Sequence, residues 1–132
     1  IANGGTLYEP RTVSQIRSYD GKVTPVPTKV IREKFVDSNI LRIVREGMRE
    51  TVTEGTAQAL ADLPIEVAGK TGTAQFGNES KTHGWFVSFA PYEAPELALV
   101  VLVEGQGEEG YNAVPVTKDV YSWYFGREKK EE

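Results

Sequence analysis

The sequence predicts an α/β (α+β) fold, an antiparallel sheet with helices packed against it. Two observations predict it. Leu41, Val44, Met48 and Val52 recur at helical spacing just after Asp37-Ser38, a cap signal, so a helix with one buried stripe lies there. Three runs rich in strand-forming residues follow, over 67–76, 83–90 and 97–103, and their connections suit hairpins and are too short for parallel crossovers.

Each element has its own signals. Thr12 to Tyr19 alternates polar and apolar residues around Val13 and Ile16, and Asp20-Gly21 is a hairpin signal. Lys22 to Pro27 is the return strand, kept to an edge or ended early by Pro25 and Pro27, which donate nothing to a ladder. In the helix after Asp37, Gly47 leaves room for another element to approach, and Gly55 ends it. Thr56 to Asp62 reads as a further helical turn that stops before Pro64. Val67 to Phe76 is a strand, Asn78 to Thr82 a turn, and His83 to Ala90 a strand with Trp85, Val87 and Phe89 on one face and Phe86, Ser88 and Ala90 on the other. Leu97 to Val103 is unbroken and apolar, as in a strand covered on both faces. Gly105 to Gly110 is a loop rich in glycine and glutamate. A helix starts at Pro115 with Val116, Val120 and Trp123 or Tyr124 at helical spacing, and 127–132 is a charged, frayed tail.

Composition narrows the function. A net charge of -4 without a basic stripe argues against nucleic acid as a partner. With no cysteine and one histidine the chain offers no thiol nucleophile, no disulfide and no ordinary zinc ligand set, and no metal or cofactor is expected. No apolar run has membrane-spanning length, and no signal peptide is visible. At 132 residues opening on Ile1-Ala-Asn-Gly-Gly5, the chain is expected to be the downstream part of one domain of a longer protein. Any targeting or anchoring segment belongs to the part upstream.

The chemistry concentrates in Lys70-Thr71-Gly72-Thr73. A lysine on a strand edge places positive charge beside a carboxylate or a developing oxyanion. The Thr71 and Thr73 hydroxyls can hydrogen-bond a carboxylate, Gly72 lets a ligand backbone come close, and Thr73 N–H is a candidate oxyanion donor. The bland alternative is a surface lysine beside a turn. Gly69-Lys70-Thr71 also matches the end of a phosphate-binding loop, but that motif needs glycine where Pro64 stands and a helix where 72–77 is strand-like. Gly-Thr-Ala-Gln occurs at 55–58 and at 72–75 with unrelated flanks, which reads as coincidence and not as a repeat.

Several segments around this box, in order, carry a resemblance to a known family. They are Ile1-Ala-Asn-Gly-Gly-Thr-Leu-Tyr-Glu-Pro10, Gly47-Met48 with Val52 and Gly55-Thr-Ala57, Val67 to Gln75, and His83-Gly-Trp-Phe-Val-Ser-Phe-Ala-Pro91. From Ile1 to about Phe125 the chain resembles the transpeptidase domain of class B penicillin-binding proteins, the peptidoglycan D,D-transpeptidases of elongation or division. Lys-Thr-Gly is a signature box of that superfamily. The resemblance implies the C-terminal portion of the penicillin-binding transpeptidase, or serine β-lactamase-like, fold. The other two boxes are absent. None of Ser14, Ser18, Ser38, Ser80, Ser88 and Ser122 has lysine three positions on, and no Ser-x-Asn occurs. In the family both lie upstream of this region. The loop from Glu104 to Pro115 departs from the family by three extra carboxylates.

The resemblance implies a mechanism for the whole domain. A serine attacks the D-Ala-D-Ala carbonyl of a peptidoglycan stem peptide, an acyl-enzyme forms, and an amine of a neighbouring stem accepts the acyl group. β-Lactams mimic the D-Ala-D-Ala end and stay bound as an ester. Lys70 would support the proton shuttle, Thr71 and Thr73 would hold the terminal carboxylate, and Thr73 N–H would stabilise the oxyanion. The implied place is the extracytoplasmic face of the bacterial cell membrane, reached only through an upstream anchor. Two functions follow: the lysine-box part of an enzyme, inactive alone, or a non-catalytic β-lactam-sensing or scaffold module. The expected partners of this chain are the missing N-terminal half of the domain or further copies of itself. Other side chains read more simply. His83 is a hydrogen-bonding residue at a strand end, Trp85, Phe86 and Phe89 are core, Trp123, Tyr124 and Phe125 are a docking face, Glu108 and Glu109 are solvated, and Tyr111 is on the surface.

Overall fold

The computed structural model describes residues 1–75, 81–106 and 113–127. In chain order it has strands β1 (Leu7–Tyr8), β2 (Gln15–Arg17), β3 (Val23–Pro25) and β4 (Val30–Arg32) and helix α1 (Ser38–Thr53). A short 3-10 turn (Gln58–Leu60), strands β5 (Ala68–Gln75), β6 (Thr82–Ala90) and β7 (Leu97–Gln106) and helix α2 (Ala113–Arg127) follow. β5, β6 and β7 form one antiparallel sheet in that order, as the short connections predict.

α1 begins where the cap signal placed it. The Asp37 carboxylate accepts the Asn39 N–H at 2.8 Å. It ends at Gly55, whose N–H bonds the Glu50 carbonyl at 2.9 Å while Ala57 N–H reaches back to the Thr51 carbonyl at 2.9 Å. A Cβ at Gly55 would lie 2.9 Å from Thr51 Cα, so only glycine lets the chain fold back there. The buried stripe differs from the prediction. Leu41 and Val52 are buried and Met48 half-buried, but Val44 is exposed. Arg45 takes its place, its guanidinium 4.9 Å and 5.2 Å from the ring centroids of Phe89 and Tyr92. Arg45 also donates to the Ala2 carbonyl at 3.1 Å and to the Tyr92 carbonyl, tying the N-terminal segment to the β6–β7 connection. Gly47 meets no close neighbour, contrary to expectation.

The core lies between one sheet face and α2. Phe86, Ser88 and Ala90 point into it, with Val52, Leu60, Val67 and Tyr121. The Phe86 ring sits on the backbone of Gly69, where an added Cβ would lie 2.4 Å from Phe86 Cζ. α2 starts at Ala113, before Pro115, and its buried stripe is Val114, Thr117, Tyr121 and Phe125 rather than Val116, Val120 and Trp123. Two buried hydroxyls hid that stripe, and both are satisfied. Thr117 Oγ1 donates to the Ala113 carbonyl at 2.9 Å, and Ser88 Oγ and the Tyr121 hydroxyl share a bond of 2.9 Å. Burial pushes the Tyr121 phenol above its ordinary value, against the opposing pull of the Ser88 hydrogen bond.

The other sheet face is open. α1 and Arg45 cover only its Ala68–Phe89 end, and beyond it Trp85 is 36% exposed, Val87 45%, Leu102 40% and Val100 58%. Within this chain β7 is covered on one face only, and the expectation that Trp85 is core fails. The N-terminal segment adds little core. β2 and β3 pair as a hairpin closed at Asp20-Gly21, with Gly21 at φ +85°, and β1 pairs with β4, an element the sequence reading did not assign. Residues 76–80, most of the predicted Gly105–Gly110 loop and the tail 128–132 lie outside the described residues.

Candidate active site

β5 carries Lys70, Thr71, Gly72 and Thr73 along the edge of the sheet, because β6 flanks it on one side and no strand among the described residues flanks it on the other. Strand alternation divides the box between two faces. Lys70 and Gly72 oppose Val87 and Trp85, on the open face, whereas Thr71 and Thr73 oppose Phe86 and Gly84. Lys70 is exposed, and its ammonium donates to the Thr71 carbonyl at 2.7 Å. A cavity of about 520 Å³ borders it, lined by Ile1, Val44, Gly47, Met48, Thr51 and Val87. Gly47, which no packing demand explains, is part of that wall.

Gly69 and Gly72 differ in what they do. Gly69 is required by the Phe86 ring. A Cβ at Gly72 would sit 3.4 Å from Trp85 Cβ, an ordinary contact, so packing does not require glycine there. Gly72 is half-buried.

Two residues outside the box hold it in place. Arg49 of α1 donates to the Val67 carbonyl at 3.0 Å and to the Glu66 carboxylate at 3.2 Å, fixing the start of β5. Thr56, in the turn after α1, lies with its Oγ1 2.8 Å from Thr71 Oγ1. Neither was singled out from the sequence, since a strand-anchoring arginine on a helix and a threonine in a turn have no local pattern. The only hint for Thr56 was its place in Gly55-Thr-Ala57. His83 is half-buried, and its Nδ1 accepts the Gly105 N–H at 3.3 Å, the strand-end role expected of it. A second cavity of about 530 Å³ lies away from the box, around Arg42, Arg45 and Tyr92. Among the described residues no group of three His, Cys, Asp or Glu could hold a metal ion, and no helix is long and apolar enough to cross a membrane.

Residues 1–122 match the family model described as penicillin binding protein transpeptidase domain, and the chain belongs to that family of penicillin-binding D,D-transpeptidases. Its fold is the serine β-lactamase-like fold of those domains. It superposes on the D,D-transpeptidase domain of a peptidoglycan glycosyltransferase from Eggerthella lenta with a TM-score of 0.79, at 28% identity over 96% of this chain and 30% of that one. Against penicillin-binding protein A of M. tuberculosis, solved as an imipenem acyl-enzyme complex, the TM-score is 0.75 at 31% identity, covering 90% of this chain and 27% of that one. Among curated relatives, the peptidoglycan D,D-transpeptidase PbpA of Mycobacterium tuberculosis is 30% identical over 129 residues, 91% of this chain and 26% of its own length. Penicillin-binding protein 2A of Bacillus subtilis is 34% identical over 119 residues, 78% of this chain and 17% of its own length. The chain thus spans about a quarter or less of these curated relatives.

Proposed function

We propose that this chain is the C-terminal part of a serine D,D-transpeptidase domain and supplies its Lys-Thr-Gly-Thr strand, while an upstream part supplies the nucleophile. The carrying observation is the position of the box on a sheet edge that no strand among the described residues flanks, beside a cavity, in a chain of this family. The upstream serine attacks the penultimate D-Ala carbonyl of a peptidoglycan stem peptide, or the lactam carbonyl of a β-lactam, and the leaving amine takes a proton. With the stem peptide the terminal D-Ala departs and the acyl group passes to an amine of a second stem, whereas the opened β-lactam stays on the serine as an ester. Lys70 supplies fixed charge to that proton transfer and to the carboxylate end of the substrate. Its ammonium must leave the Thr71 carbonyl to do so, a rotamer change that an exposed lysine makes at little cost.

Thr71 and Thr73 hold the substrate carboxylate, and Thr73 N–H donates to the oxyanion. Alternate residues of an antiparallel strand turn their N–H and C=O to the same side. The Thr71 carbonyl meets the Lys70 ammonium, so the Thr73 amide shares that side, which supports the donor role. The reaction takes place on the extracytoplasmic face of the membrane, to which an upstream anchor would hold the protein. The open face of Trp85, Val87, Val100 and Leu102 receives the upstream part of the domain.

The test uses the full-length protein that carries this chain. Lys70→Ala should slow acylation by a fluorescent penicillin on the order of 10²–10³-fold. Acylation within a few-fold of the parent removes Lys70 from the mechanism. Lys70→Arg is no substitute, because a planar guanidinium does not replace a compact ammonium. The 132-residue chain alone should take no covalent label and should self-associate through its open face in light scattering. A stoichiometric serine-linked adduct on it, or a clean monomer, contradicts the division of labour.

A further inference from the structure

We propose that Thr56 is a positioning residue for substrate recognition: it donates a hydrogen bond to Thr71 Oγ1 and so turns the Thr71 proton toward the substrate carboxylate. The inference rests on the reading of Thr71 given above and adds a residue outside the box. The two hydroxyl oxygens are 2.8 Å apart, a full hydrogen bond in which either could donate. Chemistry chooses the direction. A hydroxyl has one proton, and a carboxylate only accepts. Thr71 can serve a carboxylate only by donating to it, so in the productive state Thr71 accepts from Thr56.

The structure builds Thr56 into a fixed place. Gly55 N–H and Ala57 N–H, on either side of it, are both bonded to carbonyls of the last turns of α1. Ala57 is fully buried, and a side chain at Gly55 would collide with Thr51, so the backbone on either side of Thr56 is closely constrained. Thr56 is itself exposed and carries no core packing of its own, so its side chain answers to no demand except the bond it makes. Thr71 is half-buried, with the fully buried Phe86 opposite it across the sheet. A donor held at this distance polarises the Thr71 hydroxyl and strengthens the bond it gives onward. Holding the proton outward before the ligand arrives removes an ordering cost from binding.

Thr56→Val, Thr56→Ser and Thr71→Val in the full-length protein test this against two probes: a fluorescent penicillin with its free ring carboxylate, and the methyl ester of the same molecule. With the free acid, Thr56→Val should slow second-order acylation about 3- to 10-fold, the worth of one oriented hydrogen bond. The ester carbonyl accepts more weakly than a carboxylate, so its rate should fall clearly less, and Thr56→Ser should keep the parent value. The double variant should be no slower than Thr71→Val alone, since the two hydroxyls act through one bond. A loss that is equal for acid and ester, or none while Thr71→Val discriminates between them, overturns the role of Thr56 and leaves the reading of the box intact. If Thr71→Val itself fails to discriminate, the carboxylate role of Thr71 falls, and the inference with it. A Thr56→Val protein too unstable to assay also counts against it, because an exposed side chain with a purely orienting role should not be needed for folding.

Discussion

The two faces of the β5–β6–β7 sheet are built from residues of similar character and have opposite fates. Phe86 and Ala90 are fully buried against α2, while Trp85 and Val87, their neighbours in the same strand, face outward. β7 repeats the contrast: Leu99 and Val101 pack against the core, and Val100 and Leu102 do not. A sheet with one wet face shows alternating polarity, and this one does not. The outward face is apolar where a solvated face would be polar, as the proposed division of the domain requires. Lys70 stands on that face, at the border between what α1 covers and what it leaves open.

The comparison breaks most readily at Phe86. Phe86→Ala should cost about 3–5 kcal/mol in urea unfolding, whether in the chain alone or in the full-length protein. Val87→Ala should cost within about 0.5 kcal/mol in the chain alone at dilutions where it is monomeric, as at an ordinary surface position. In the full-length protein the same change should cost about 1–3 kcal/mol. Equal small values in both settings would mean that nothing covers the open face. A smaller contrast concerns the two glycines. Gly69→Ala drives a methyl into the Phe86 ring and should lose about 1–3 kcal/mol. Gly72→Ala should leave the unfolding midpoint nearly unchanged and slow penicillin acylation, and a stability loss equal to that of Gly69→Ala would refute the distinction.

The smallest effect is one of pH. Burial raises the Tyr121 phenol above its ordinary 10.0, so as pH rises the unfolded chain gives up this proton before the folded one does. The unfolded state then binds fewer protons, and stability falls with pH. The contribution is whole below pH 10 and is lost above it. Urea midpoints between about pH 9 and pH 11 should fall more steeply for the parent than for Tyr121→Phe, and parallel curves would sink the assignment.

Much of this was legible in the sequence because short-range chemistry wrote it there. The Asp37 cap, the Asp20-Gly21 turn, the Gly55 stop and the strands expected over 67–76 and 83–90, found as β5 and β6, each have signals in neighbouring residues. The box residues came together because one strand carries them. What failed depended on distant partners. Val44 looked like core, but Arg45 was the residue that packed, its guanidinium resting on rings from the end of β6 and just beyond. The α2 stripe was misplaced because Thr117 and Tyr121 are polar by type and buried by virtue of bonds to Ala113 and Ser88. Thr56 and Arg49 act across gaps of 15 and 18 residues, which no periodicity records.

The glycines also bear on how this chain can change over generations. Every missense change at a glycine codon adds a Cβ. At Gly55 and Gly69 that atom collides with Thr51 and Phe86, and at Gly72 it meets only ordinary contact. In a randomised library selected for folding alone, positions 55 and 69 should stay glycine while 72 drifts. Adding a selection for growth that depends on cross-linking should bring glycine back at 72, so that comparing the two libraries separates what the fold requires from what the reaction requires.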